Sequence, residues 1–292
     1  MKFRYVFIAF NIIIFFFLLV IGLLSFYILG HDLALEFWQA SRFFIALMIF
    51  VLVGLDLFYL LNRRLYLLLE REDWPGLTHY LETKIIQDKH YSSSWVRLLA
   101  NAYFVLAEPA AVVALERAVA SGNPSLIETH ALLFGTARLL SKDIHGGVGF
   151  FSRRLDAAVA RSGKGLFRNG NARKTDWIRF YYGFALLLER QFSIAAEQFS
   201  ILSKEAKDPL TAGLSAFFLT DVLSKVLPDR SLDLQTSADD GRNRAVAALH
   251  TIDDWYKAAT KLQTEIHGAM LATYLRDAAR WIFSNASTFS KS

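Results

Sequence analysis

Apolar residues fill almost every position in two stretches near the start of the chain, Tyr5 to Gly30 and Phe43 to Leu61. The first stretch contains one strongly polar side chain, Asn11, and the second contains one charged side chain, Asp56. A helix of about 20 apolar residues can cross a bilayer because its backbone groups are hydrogen-bonded internally. The pattern therefore predicts two retained transmembrane helices, over residues 5–30 and 43–61, since the first stretch is too long for the apolar core of a cleavable signal.

Charges beside these stretches indicate their orientation, because cytoplasmic flanks carry an excess of Lys and Arg. The basic residues at the outer ends are Lys2, Arg4, Arg63, Arg64 and Arg71. The connection from His31 to Ser41 holds two acidic residues and no Lys or Arg. We therefore expect an integral membrane protein, in a bacterial inner membrane, with both termini in the cytoplasm and a short loop outside.

Asn11 and Asp56 lie at the same distance from the cytoplasmic ends of the two predicted spans, seven residues after Arg4 and seven before Arg63. In an antiparallel hairpin this places both about 10 Å inside the boundary, at 1.5 Å per residue. A carboxylate within a membrane is costly and usually has a partner, so we expect an intramembrane polar pair. The alternative is that Asp56 reaches interfacial water and has no partner.

Apolar residues recur with the helical period throughout the rest of the chain, and the five prolines fall near segment ends. The helices predicted on this basis cover 63–71, 74–88, 93–106, 108–121, 125–141, 143–162, 173–190, 192–206, 209–226, 240–261 and 263–284. The sequence thus predicts an all-α protein. It has a transmembrane hairpin in residues 1–62 and a helical domain in residues 63–292.

A spacing pattern relates three of the predicted helix pairs. A mostly small residue is followed twelve positions later by another small residue, and then by a large apolar residue one turn on. The three sets are Leu99, Ala111 and Leu115; Gly135, Gly147 and Phe151; and Gly183, Ala195 and Phe199. Small residues let two helix backbones approach closely, while a large residue fills the space beside them.

This spacing resembles the tetratricopeptide repeat. In the best match, the fourth, seventh, eighth, eleventh, twentieth, twenty-fourth and twenty-seventh family positions are Trp95, Leu98, Leu99, Ala102, Ala111, Leu115 and Ala118, although Pro124 comes one place late. The match is weaker around Gly135, because Arg138 and Arg154 stand where the family has apolar residues. The resemblance implies a cytoplasmic α-solenoid of paired antiparallel helices. A generic helical bundle remains the alternative, and the helices after residue 225 are either further repeats or a cap.

The resemblance also implies a concave face that binds a protein partner, with an amphipathic helix as the favoured ligand. The groove residues carried over from the family are Val96, Ala100, Tyr103, Phe104, Phe180, Phe184 and Leu187. The alternative is that neighbouring helices bury these same residues.

Basic residues dominate the stretch from Arg153 to Lys174. They are Arg153, Arg154, Arg161, Lys164, Arg168, Arg173 and Lys174, opposed only by Asp156. Beside a membrane such a stretch can bind anionic lipid or an acidic partner. The alternative is a solvated loop balanced by acidic residues elsewhere in the fold. We expect no nucleic acid partner, because aromatic residues for base stacking are sparse there.

Catalytic patterns are absent from the sequence. It contains no cysteine, no HExxH pair and no GxSxG elbow, and its net charge is a modest +5. We therefore expect no metal, no cofactor and no enzyme activity. The predicted function is a membrane-anchored scaffold or adaptor for an unidentified protein partner. The alternatives are a structural subunit that assembles through its transmembrane helices and, less favoured, an enzyme with an unrecognised site.

Overall fold

The computed structural model describes residues 3–162 and 169–284, and no β-strand occurs within these two ranges. The chain divides into two compact units, Met1–Lys84 and Ile85–Ser292. The α-helices are α1 (Phe3–Glu70), α2 (Trp74–Glu82), α3 (Ser93–Val105), α4 (Pro109–Gly122), α5 (Ser125–Thr129), α6 (Ala131–Leu140), α7 (Ile144–Ser162), α8 (Asn169–Leu188), α9 (Phe192–Glu205), α10 (Pro209–Phe218), α11 (Ser224–Val226), α12 (Ser231–Leu249), α13 (Ile252–Gln263), α14 (Ile266–Met270) and α15 (Ala272–Phe283).

In the first unit, α1 is broken at Gly30 into two arms that run antiparallel. Gly30 has φ 75°, a left-handed conformation that favours glycine. The rings of Phe7 and Tyr59 stack 4.1 Å apart near one end. Near the other end, Trp38 Nε1 donates to Ser25 Oγ at 2.8 Å. Both arms contain segments long and apolar enough to cross a membrane, Tyr5–Ile28 and Ala46–Glu70.

The connection between the two arms differs from the sequence prediction. Residues 31–41, expected to form a loop, continue the helix of the second arm. The second arm also extends beyond residue 61 to Glu70, where a turn leads into α2, whose first turn is capped by Asp73 Oδ1 accepting from Gly76 N at 3.0 Å. The Arg64 guanidinium lies 5.4 Å from the centre of the Tyr80 ring, so α2 packs against the end of α1. The unit boundary accordingly falls at Lys84, whereas the sequence analysis placed it at residue 62.

One type of turn recurs between consecutive helices. Its central residue has positive φ, and the amide after that residue donates to the carbonyl five positions earlier. The central residues are Glu72, Ala107, Lys142 and Arg190, with φ 54°, 58°, 63° and 64°. The first three follow one another at 35 residues (72 to 107 and 107 to 142), and the last interval is 48 residues (142 to 190). The chain therefore contains a structural repeat, lengthened once between Lys142 and Arg190.

These turns align the helices more precisely than residue types do. Counting back seven residues from each turn aligns Ala100 with Gly135 and Gly183, and counting forward nine aligns Glu116 with Phe151 and Phe199. The sequence alignment, which used Leu99, Ala111 and Leu115, was therefore wrong by one residue in this repeat. The corrected register also removes the discrepancy at Pro124, which came one place late.

The small residues of the pattern lie against large ones within antiparallel pairs. A Cβ on Gly135 of α6 would lie 2.1 Å from Phe151 Cζ of α7, and a Cβ on Gly147 would lie 2.8 Å from Leu139 Cδ2. A Cβ on Gly183 of α8 would lie 3.1 Å from Phe199 Cε1 of α9. In each case a missing side chain makes room for a neighbour, as the spacing predicted.

Substituting Gly135 by alanine tests this close approach. The Phe151 ring cannot retreat freely, because it stacks on Tyr181 at 5.7 Å. We expect Gly135→Ala to lower the free energy of unfolding by about 1–3 kcal/mol. In the control Gly149→Ala, the new Cβ meets only Arg153 Nη1 at 3.6 Å, so this helical substitution should stabilise by about 0.5–1 kcal/mol. Thermal unfolding of the full chain followed by circular dichroism measures both, and equal midpoints for the two variants would contradict the packing.

The C-terminal helices depart from the predicted boundaries. A single helix over 240–261 is wrong, because α12 ends at Leu249 and α13 begins at Ile252. Thr251 separates them as an N-cap, its hydroxyl accepting from Asp254 N at 3.2 Å. Residues 231–239, assigned no helix from the sequence, form the first half of α12. α12 contacts α9 and α10, and α15 contacts α10 and α13.

Candidate functional site

Most of the predicted groove residues are buried in the core of the second unit. Val96, Ala100, Tyr103, Phe180 and Phe184 are buried, with no more than 6% of their surface exposed. Phe104 and Leu187 are partly exposed. In this conformation the five buried residues are inaccessible to a partner protein. This agrees with the alternative that neighbouring helices bury them.

Two different causes account for this burial. In α3, the register error of one residue placed the expected face on the buried side of the helix. The corrected register puts Arg97, Asn101, Phe104 and Val105 on the face that corresponds to Phe180, Phe184, Leu187 and Leu188. In α8, later helices cover the face, because the Phe184 ring lies 5.8 Å from Phe218 and 5.9 Å from Tyr274 of α15.

An exposed apolar row remains at the ends of the first helices. Val105, Leu140 and Leu188 each stand two residues before the central residue of a recurring turn. They are 56%, 43% and 44% exposed, respectively. The same repeat that buries the small residues therefore exposes a large apolar side chain at three of its four turns, the exception being Glu70 before Glu72. None of the three was among the groove residues predicted from the sequence, because the register of α3 was wrong by one residue.

The contact between Asn11 and Asp56 that the sequence predicts is present in the first unit. Asn11 Nδ2 donates to Asp56 Oδ1 at 3.1 Å and also to the Phe7 carbonyl at 3.2 Å. Both side chains are partly exposed. The amide thus joins the two arms and anchors itself to its own helix.

The described residues of the basic stretch differ in their surroundings. Arg154 forms an ion pair with Glu128 and lies over the Phe150 ring, 5.1 Å from its centre. Lys174 donates to the carbonyls of Glu128 and Thr129, where the C-terminal carbonyls of α5 lack helical partners. Arg153 and Arg173 are exposed. Lys164, Arg168 and the side chain of Arg161 lie outside the part that the structure describes.

A different group of polar residues comes together from three parts of the second unit. Ser93 Oγ, at the first residue of α3, lies 2.9 Å from His130 Nε2, at the junction of α5 and α6. Arg97 of α3 and Lys174 of α8 both lie near enough to influence the His130 imidazole electrostatically. We call Ser93, Arg97, His130 and Lys174 the polar cluster.

Titratable groups show the sign of the local charge. Burial lowers the pKa of His130, and the positive charges of Lys174 and Arg97 lower it further. The hydrogen bond from His267 lowers the pKa of Glu265, with further contributions from the charges of His267 and Arg97. The polar cluster therefore disfavours an added cation and stabilises a neighbouring anion.

Two further carboxyl groups are used structurally. Asp176 Oδ2 accepts from the backbone amides of Lys207 and Asp208 at 2.7 and 3.1 Å, which fastens the α9–α10 connection to α8. Asp208 Oδ1 caps α10 by accepting from Leu210 N at 3.0 Å. Burial raises the pKa of both aspartates, while these hydrogen bonds act in the opposite direction. One oxygen of each carboxylate is thus engaged by two backbone amides.

Other candidate sites are few within the described ranges. No group of three or more His, Cys, Asp or Glu residues is placed there to hold a metal ion. An open cleft of about 290 Å³ lies between α13 and α15; its lining is Tyr256, Ala259, Thr260, Gln263, Ala272, Leu275 and Arg276. Its single charged side chain offers no acid–base pair.

Comparison with known proteins places the chain in a family. The family model described as "Uncharacterised Treponema protein" matches residues 111–284, which is more than half of the chain. The chain belongs to this family. A relative from Treponema pallidum (strain Nichols), described as an uncharacterized protein, is 28% identical over 257 residues, covering 84% of this chain and 77% of the relative. The family match begins in α4 and ends just after α15, so it includes Leu140 and Leu188 of the apolar row.

Proposed function

We propose that this protein is a membrane-anchored scaffold or adaptor whose helical repeats bind a partner protein. The two arms of α1 are the anchor, spanning the inner membrane with both termini in the cytoplasm. Support for the anchor comes from the two segments of spanning length and from the basic residues at their outer ends. Membership in a family named for a bacterial genus agrees with this location. No enzyme activity is part of the proposal.

The repeating turns support a solenoid similar to tetratricopeptide repeats. Three central residues stand 35 residues apart in sequence, and each turn joins helices packed as a pair. The departures from the family pattern compensate one another, because Arg138 at an expected apolar position pairs with Glu116 at another, with Nη2 to Oε2 at 2.9 Å. A solenoid of this kind has surfaces that change little along its length and suit extended helical partners.

The observation that carries the proposed binding is the apolar row. Its members are 43–56% exposed and recur at one position of three successive turns, unlike the singly scattered apolar residues that are normal on protein surfaces. Helices in contact have axes about 8–10 Å apart, so Leu140 and Leu188 on the contacting helices α6 and α8 suit residues i and i+7 of a partner helix, about 10.5 Å apart. The partner segment we propose is therefore an amphipathic helix.

Photo-crosslinking in membranes tests this binding surface. A photoreactive residue at position 140 or 188 of the full chain should crosslink to one common protein. The same residue at position 232 should not, although Leu232 is 79% exposed and lies outside the row. The double variant Leu140→Ser/Leu188→Ser should reduce copurification of that protein by about tenfold, the factor that 1.4 kcal/mol produces. Equal crosslinking from position 232, or unchanged copurification, would refute the surface.

A structural role for the spans is the second candidate. The hairpin leaves several phenylalanines exposed by 60% or more, among them Phe15, Phe16, Phe17, Phe43 and Phe44. Such residues face either lipid or the helices of another membrane protein. A photoreactive residue at position 16 distinguishes the two, because crosslinking to protein supports a complex subunit and crosslinking to lipid alone opposes it.

A further inference from the structure

The contact between Asn11 and Asp56 uses all the hydrogen-bond donors of its two side chains. The Asn11 amide group has two hydrogens, and its acceptors are Asp56 Oδ1 at 3.1 Å and the Phe7 carbonyl at 3.2 Å. An ionised carboxylate has no hydrogen to donate. Among the side chains that the structure describes, Asn11 Oδ1 and Asp56 Oδ2 therefore remain as acceptors that receive no hydrogen bond. Both residues are partly exposed, so the contact is not enclosed between the two arms.

The other polar contact between the arms is complete by comparison. Trp38 Nε1 donates its one hydrogen to Ser25 Oγ at 2.8 Å, and the Ser25 hydroxyl donates its own to the Gly22 carbonyl at 2.8 Å. Only 8% of the Ser25 surface is exposed, and neither side chain carries a charge. The hairpin therefore contains one neutral contact that needs no further partner and one charged contact that still lacks donors.

The need for a further donor follows from the proposed membrane anchor, on which this inference rests. Asn11 falls within Tyr5–Ile28 and Asp56 falls within Ala46–Glu70, the two segments of spanning length. A carboxylate within a membrane is costly and is normally paired. The nearest basic residue along the second arm is Arg63, seven residues on, which is about 10 Å along the helix axis. The spans of the hairpin thus supply an amide for Asp56 but no cation at its depth.

We propose that Asp56 pairs with a basic residue in a transmembrane helix of another membrane protein. A Lys or Arg side chain brings only donors, which match the free oxygens of Asn11 and Asp56. Its charge also neutralises the carboxylate, in surroundings that screen charge far less than water does. A second copy of the chain is a poorer match, because its own Asn11 and Asp56 would present the same acceptors. The proposal names the chemistry of the partner that a structural role for the spans requires.

Coexpression with a designed single-span helix tests the proposal. The probe is a poly-leucine span with one lysine placed about 10 Å inside its cytoplasmic end, where an arginine cluster fixes the orientation. In the control probe, leucine replaces that lysine. The tagged full chain should copurify about tenfold more of the lysine probe than of the leucine probe. Asp56→Asn should abolish this preference, because it keeps an oxygen that accepts from Asn11 but removes the charge. The matched control Trp38→Phe removes the other polar contact between the arms and should keep the preference.

Alkaline extraction of the same membranes separates failure of this inference from failure of the proposed anchor. The full chain and its Asp56→Asn variant should both stay in the membrane fraction, because each keeps two apolar spans. Release of the unmodified chain would refute the anchor and this inference together. Retention with equal recovery of the two probes, or with a lysine preference that Asp56→Asn leaves unchanged, would overturn this inference alone. Copurification of two differently tagged copies of the chain that is lost in Asp56→Asn would overturn it in favour of a second copy.

Discussion

Replacing Phe184 by alanine is expected to lower the free energy of unfolding by about 3–5 kcal/mol, the usual cost of removing a buried phenylalanine. Only 6% of the Phe184 side chain surface is exposed, and its ring contacts Phe218 and Tyr274. Those contacts cannot be replaced by water without leaving a cavity between α8, α10 and α15. The measurement is thermal and chemical unfolding of the full chain.

The control for this substitution lies one helical turn away. Leu188 belongs to the same helix but is 44% exposed, so Leu188→Ala should change stability by only about 0.5 kcal/mol. The pair of variants separates a core position from a surface position within α8. If Phe184→Ala unfolds like the unmodified chain while Leu188→Ala is destabilised, Leu188 would be the buried side chain and Phe184 the exposed one, which would contradict the structure.

Substitutions in the buried ion pair between α4 and α6 are also expected to change the free energy of unfolding by several kcal/mol. Arg138 contacts Glu116 through Nη2 at 2.9 Å and through Nε at 3.0 Å, and both side chains are 15% exposed or less. Removing one partner leaves a buried charge uncompensated, so Arg138→Leu should cost about 3–5 kcal/mol. The double variant Glu116→Leu/Arg138→Leu should be more stable than Arg138→Leu, because it also removes the unpaired Glu116 carboxylate. In Glu116→Leu the guanidinium keeps a partner, since Arg138 Nη1 also donates to Asp143 Oδ2 at 2.8 Å.

A double-mutant cycle of unfolding free energies measures this coupling. The exposed pair Lys225 and Asp221, with Nζ to Oδ1 at 2.8 Å, is the matched control. Removing Lys225 should cost less than about 1 kcal/mol, since solvent screens an exposed pair. Additive effects at Glu116 and Arg138 would contradict the expectation.

Helix positions were predictable from the sequence wherever local signals mark both ends. The helices predicted at 93–106 and 192–206 are observed as Ser93–Val105 and Phe192–Glu205. Residue type alone could not fix the register of the repeat, because Leu99 and Ala100 are adjacent and both fully buried. Pro109 offered the missing signal, since a proline at the first helical position marks where α4 begins.

The polar cluster and the burial of the predicted groove depend on contacts distant in sequence. Ser93 and His130 are 37 residues apart, and Tyr181 donates its hydroxyl proton to the His267 carbonyl across 86 residues. No local pattern in α14 or α15 shows which surface these helices will cover. The pair of Asn11 and Asp56 was predictable, although also distant, because equal depth in a hairpin follows from counting residues along two straight helices.

Two polar contacts near opposite ends of the hairpin fix how far one arm can slide along the other. Asn11 meets Asp56 at one level, and Ser25 meets Trp38 at another. A slip of one helical turn, about 5.4 Å, would break both contacts at once and separate four polar groups from these partners. The two contacts therefore reinforce each other, and together they favour one axial register between the two arms.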